Sequence, residues 1–133
     1  MSANVLLIDD ETDFLSVMAE RMTVRGIQVA TASSAKDGLA KIEAGDFDVV
    51  VLDLAMPEMD GVETLKRLKA KKPDLEVILL TGHASVKQGI EAMKLGALEL
   101  LEKPADMKAL LTKIEAIQAK KLTGSPVNIM DRK

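Results

Sequence analysis

The chain has 133 residues, enough for one domain with its own core, and its 21 acidic against 18 basic side chains leave a formal net charge of −3. That balance argues against a general grip on nucleic acid, and an aromatic content of 2%, with two Phe and no Tyr or Trp, excludes base-stacking platforms. The absence of cysteine excludes a disulfide scaffold, a thiol nucleophile, a cysteine-held zinc and a redox dithiol.

The first apolar run, Val5 to Ile8, is stopped at once by Asp9, Asp10 and Glu11, so it is no signal-peptide core. No run approaches the ~20 apolar residues of a membrane span, and the expected location is the cytoplasm. Further runs follow at Ile27 to Ala30, Val49 to Leu52, Val77 to Leu80 and Ala97 to Leu101. The first, third and fourth are continuous in Val, Ile and Leu, as in parallel strands covered on both faces. Between and after the runs, apolar residues recur at helical spacing: Phe14, Val17, Met18 and Met22; Ala35, Leu39 and Ile42; Leu65 and Leu68; Val86, Ile90 and Met93; then Met107, Leu110, Leu111, Ile114 and Ile117.

Helix starts are marked by Ser34 before Asp37, Asp60 before Glu63 and Ser85 before Gln88. Asp13 is a candidate cap for the first helix, and Glu11 reads as a solvated side chain beside it. Gly26, Gly45 and Gly96 stand where helices should end in a left-handed residue. The expected fold is α/β: a (βα)5 doubly wound parallel five-stranded sheet of flavodoxin-like order 2-1-3-4-5. Residues 1–121 form the domain, and 122–133, with Thr123-Gly124-Ser125-Pro126, a C-terminal tail or the start of a linker.

In such a sheet, sites form beyond the carboxyl ends of the strands. Asp9 and Asp10 follow strand one, Asp53 strand three, Thr81 strand four and Lys103 strand five. Adjacent carboxylates repel unless a cation joins them, and an all-oxygen set suits Mg2+. A carboxylate nucleophile, a metal, a lysine and a hydroxyl together can handle a phosphoryl group.

Four stretches carry a resemblance: VLLIDDE at 5–11, VVVLDLAMPEMDG at 49–61, VILLTGHAS at 77–85 and GALELLEKP at 96–104. In this order and spacing the chain, over about residues 4–120, resembles the receiver (CheY-like) domain of bacterial two-component response regulators. The resemblance implies Asp53 as phosphoacceptor, Asp10 as direct metal ligand and Asp9 as the partner reaching the metal through water. The backbone carbonyl of Ala55 would be a further ligand. Thr81 would hydrogen-bond the phosphoryl group and Lys103 contact it. The bond before Pro104 would be cis, Pro57 the proline of the active-site loop and Gly61 the glycine of the turn into helix three. Where the family usually carries Tyr or Phe in strand five, this chain has Leu100, which reads either as a leucine-based switch or as plain sheet packing. His83, two residues past Thr81, is placed to modulate loss of the phosphoryl group.

The function implied is a phosphorylation switch. A sensor histidine kinase gives up its phosphoryl group to Asp53 with Mg2+, Mn2+ being an alternative. The output would be a downstream protein, a phosphotransfer protein or a homodimer through the helix four–strand five–helix five face, with no direct nucleic-acid or membrane binding. The chain would catalyse its own modification without being a turnover enzyme. Alternatives are a receiver cut from a larger transcription regulator or hybrid kinase, and a metal-dependent phosphohydrolase. The second lacks the Asp that such enzymes place two residues after the nucleophile, since Ala55 stands there. A nucleotide-binding module lacks its GxxxxGK[ST] or GxGxxG loop.

Overall fold

Five strands alternate with five helices: β1 (Asn4–Ile8), α1 (Thr12–Val24), β2 (Gln28–Ala32), α2 (Ala35–Ala44), β3 (Val49–Asp53), α3 (Gly61–Lys71), β4 (Glu76–Thr81), α4 (Val86–Lys94), β5 (Glu99–Glu102) and α5 (Met107–Thr123). The structure is a computed structural model that describes residues 3–56, 61–82, 86–103 and 106–123. Its strands pair in parallel, as the alternating pattern predicts, and in the expected order β2-β1-β3-β4-β5. α5 runs to Thr123, across the expected 121/122 boundary. Among the described residues no helix is long and apolar enough to cross a membrane.

The apolar runs are continuous because both sheet faces are covered. Successive side chains point to opposite faces. Leu6, Ile8, Val50, Leu52, Val77 and Leu79 pack under α2, α3 and α4, where Ile42, Leu65, Leu68 and Ala92 meet them. Val5, Leu7, Val49, Val51, Ile78 and Leu80 pack under α1 and α5, against Leu15, Met18, Met22, Leu110 and Ile114.

Two strands begin later than their apolar runs, for one reason. Gly26 and Gly96 take positive φ, 78° and 104°. After each, the next residue donates its N–H back five positions: Ile27 to Met22 at 3.0 Å and Ala97 to Ala92 at 3.4 Å. Ile27 and Ala97 thus belong to the closing turns of α1 and α4, and β2 and β5 start at Gln28 and Glu99. Gly45 departs from the expected left-handed form, with φ −123°. A side chain there would meet the Phe47 ring at 2.8 Å, so ring packing is what its small size serves.

The helix starts divide similarly. The Ser34 hydroxyl accepts the Asp37 N–H at 3.1 Å and caps α2. The N-cap position of α1 is Glu11, whose side chain makes no capping hydrogen bond, and Asp13 lies in the first turn instead. Asp60 and Ser85, the other expected caps, lie outside the described residues. On α1 the buried stripe is Leu15, Met18 and Met22, with Val17 50% exposed. On α4 the expected Ile90 and Met93 face outward, the Val86 side chain lies outside the described ones, and among the described side chains Gly89 and Ala92 meet the sheet.

Candidate phosphoryl site

β1 and β3 pair with Ile8 opposite Leu52, so Asp9 and Asp53, one residue further, leave the sheet side by side. Each is fixed by its own backbone. Asp9 Oδ1 accepts the Glu11 N–H at 2.9 Å, and Asp53 Oδ1 accepts the Ala55 N–H at 3.1 Å. These are Asx turns, in which a short carboxylate folds onto the chain two residues ahead. Asp9 and Asp53 are buried and Asp10 is exposed, yet oxygens of all three lie within 4.8 Å of one another.

Thr81 is one residue past the Asp53–Leu80 pair and is buried. Its carbonyl accepts the Lys103 N–H at 2.8 Å, which carries the β4–β5 ladder to its end and turns Lys103 over the acidic residues. The Lys103 ammonium stands 2.6 Å from Asp9 Oδ2, 2.5 Å from Glu11 Oε1 and 3.8 Å from Asp53 Oδ2. It also lies 4.3 Å from the centre of the Phe14 ring, within cation–π range. Asp10, Glu11, Asp53, Ala55, Gly82 and Lys103 line an open cleft of about 300 Å³.

Burial pushes the Asp9 carboxyl up to about 6; the Asp53 charge adds to this, while Lys103 and the Glu11 N–H oppose it. For Lys103, burial works against the charged form. The close contacts with Asp9 and Glu11, with the Asp53 and Asp9 charges, outweigh it and hold the ammonium above its ordinary pKa. Asp9 Oδ2 is buried without an aligned hydrogen-bond donor, although the ammonium is 2.6 Å away. A buried anionic oxygen in that state, beside two further carboxylates, fits a hard divalent cation.

The structure therefore gathers Asp9, Asp10, Asp53, Ala55, Thr81 and Lys103 at one edge of the sheet. Gly61 opens α3, where a Cβ would come within 2.6 Å of the Leu54 Cα. Leu100 is outside the cleft, half-buried against the core and against Gly89. Pro57, His83 and Pro104 lie outside the described residues. Glu11 is solvated, as expected, and its carboxylate also holds Lys103. Nothing near position 11 signals a partner 92 positions away.

The family profile described as response regulator receiver domain matches residues 5–115. The transcriptional regulatory protein ZraR of Klebsiella oxytoca is 38% identical over 125 residues, covering 93% of this chain and 28% of that protein. The chain thus spans little more than a quarter of this relative's length. A CheY-like receiver domain protein from Methanospirillum hungatei superposes with TM-score 0.85 at 29% identity, covering 94% of this chain and 100% of that one. TrrA from Thermotoga maritima, solved in complex with Mg(2+)-BeF, has TM-score 0.77 at 27% identity, covering 86% and 98%.

Proposed function

The chain belongs to the response regulator receiver domain family of two-component signalling, and on that premise we propose that Asp53 is its phosphoacceptor. One observation carries this reading: Asp9, Asp10 and Asp53 bring oxygens within 4.8 Å of one another beside the Lys103 ammonium. A histidine kinase or phosphotransfer protein presents a phosphohistidine. An Asp53 carboxylate oxygen forms the new O–P bond while the P–N bond breaks and its electron pair returns to the imidazole. Lys103 offsets charge on the phosphoryl oxygens, and the Thr81 hydroxyl donates a hydrogen bond to one of them.

Asp10, Asp53 and the Ala55 carbonyl would hold Mg2+, or Mn2+ in its place, with Asp9 reaching it through water. The metal would supply positive charge to the crowded carboxylates and the incoming group. The crowding of three carboxylates and the Mg(2+)-BeF complex of TrrA support this assignment. Water later cleaves the acyl phosphate, so the chain acts on itself and does not turn over substrate. Gly61 allows the close turn of α3 against Leu54, and the roles proposed for Pro57, Pro104 and His83 are those the family resemblance implies, His83 tuning the lifetime of the acyl phosphate. The output is a change of the α4–β5–α5 face, with Leu100 beneath it, toward a protein partner or a second copy.

A receiver that forms one part of a larger transcription regulator is the second reading, supported by the match to ZraR over 28% of that protein. The reading frame beyond residue 133 decides between the two. The phosphoacceptor assignment is tested by intact mass after incubation with Mg2+ and phosphoramidate. Wild type should gain one phosphoryl group and D53A none; equal labelling refutes the assignment.

A further inference from the structure

Three carboxylates face the Lys103 ammonium, and Glu11 is the one outside the Asp9–Asp10–Asp53 cluster. Its side chain is 64% exposed, against 2% for Asp9 and 6% for Asp53. The ammonium sits at hydrogen-bonding distance from Glu11 and Asp9, and at 3.8 Å from Asp53 it is beyond that reach. Glu11 and the Phe14 ring under the ammonium both belong to the opening of α1. Lys103 is thus moored to Asp9 and to the start of α1, and not to the proposed acceptor.

We infer that Glu11 is a positioning residue that holds Lys103 off Asp53 in the unphosphorylated chain and gives it up when a phosphoryl group arrives. The inference rests on Asp53 being the phosphoacceptor. A phosphoryl group brings nearly two negative charges and strong acceptor oxygens, which form stronger ammonium bonds than a solvent-exposed carboxylate does. Glu11 can return to water at little cost because most of its side chain is already there, whereas releasing a buried carboxylate would strand an anion. Each transfer must first undo the Glu11 contact, so Glu11 slows the step and sets the resting state.

The test measures initial rates of Asp53 labelling by phosphoramidate at saturating Mg2+ for wild type, E11Q, K103M and E11Q/K103M. E11Q should label about fivefold faster than wild type. That is about 1 kcal/mol, the upper range for an exposed ion pair. K103M and the double variant should label at one common rate. Equal rates for wild type and E11Q overturn the inference. A fivefold gain that persists without Lys103 also overturns it, because Glu11 would then act by repelling the donor's charge. Thermal unfolding of the four unphosphorylated chains reads the contact separately: E11Q should lower Tm only where Lys103 is present, and no such coupling overturns the mooring. Failure of wild type to label at all overturns the phosphoacceptor reading and this role with it, and that result cannot be confused with a labelled chain indifferent to Glu11.

Discussion

Asp9 and Asp53 are held alike but used differently by Lys103. Each ties Oδ1 to the N–H two residues ahead and turns Oδ2 toward the ammonium, at 2.6 Å for Asp9 and 3.8 Å for Asp53. Asp53 also lines the cleft, together with Asp10 and Glu11. One carboxylate is therefore locked in an ion pair, while its neighbour is oriented by its backbone with an oxygen outside hydrogen-bonding range of the lysine. A nucleophile is served by that second condition: a fixed direction and an oxygen not tied up by the lysine.

The raised Asp9 pKa makes stability depend on pH. Its folded value of about 6 exceeds the ordinary 3.8, so the fold favours the protonated form. That contribution is present below about pH 4 and is lost as pH rises through 6. At pH 7.5, without divalent metal, D9N should be more stable than wild type by up to about 3 kcal/mol, since each pKa unit is worth about 1.4. The difference should shrink steadily toward pH 4. Urea unfolding of both chains across this range checks it; a pH-independent difference would refute the assignment to Asp9.

Metal binding should respond in opposite directions to two substitutions. The Lys103 ammonium occupies the space beside Asp9 and Asp53 and competes with any cation for their charge. K103M should bind Mg2+ at least as tightly as wild type while accepting phosphate poorly. D10A should lose about tenfold or more in affinity if it removes a direct ligand. Calorimetric titration of the three chains gives the order; weaker binding by K103M than by D10A would contradict it.

The sheet was legible in the sequence because continuous Val, Ile and Leu runs have few other uses at lengths of four to six residues. The strand starts were less so. Ile27 and Ala97 are apolar and adjoin strands, but their N–H groups close helices, and only the backbone shows that. Val17, Ile90 and Met93 fit a helical stripe by spacing, yet the surfaces they meet are set by neighbouring elements. Among the described side chains of α4 the contact is made by Gly89 and Ala92, whose small size is weak evidence in sequence. The acidic positions could be grouped because each follows a strand end. The Glu11–Lys103 contact could not, since it depends on side-chain reach between β1 and β5, which are separated in the sheet by β3 and β4.

Two glycines make a paired test of packing. A Cβ at Gly61 would lie 2.6 Å from the Leu54 Cα, a backbone atom that cannot yield without moving the chain next to Asp53. A Cβ at Gly89 would lie 2.5 Å from Leu100 Cδ2, the end of a flexible side chain. G61A should cost at least ~2 kcal/mol, in the upper range for overpacking. G89A should fall within about 1 kcal/mol of wild type, because the ~1 kcal/mol gained by replacing a helical glycine offsets the repacking of Leu100. Equal losses in chemical denaturation would show that Leu100 is as fixed as backbone.

The last prediction concerns how a change at Asp53 reaches the surface. Among the described side chains α4 rests on the sheet through Gly89 and Ala92, leaving Ile90 54% and Met93 40% exposed, whereas α3 buries Val62, Leu65 and Leu68. Small side chains bury little apolar area, so α4 should be held less strongly. In hydrogen exchange its amides should be less protected than those of α3 before any modification; equal protection would remove the basis for a mobile α4. Beryllofluoride bound at Asp53, as a phosphoryl mimic, should draw the Thr81 hydroxyl toward a charged acceptor. Leu100, in contact with Gly89, is the side chain able to take up the space and carry the shift to α4. Amide shifts on adding beryllofluoride should therefore extend along residues 86–95 and into β5 in wild type. In T81A they should stay near Asp9, Asp53 and Lys103. Confinement to those three positions in wild type would mean that Leu100 is sheet packing and no switch. Persistence of the distant shifts in T81A would place the route elsewhere than Thr81.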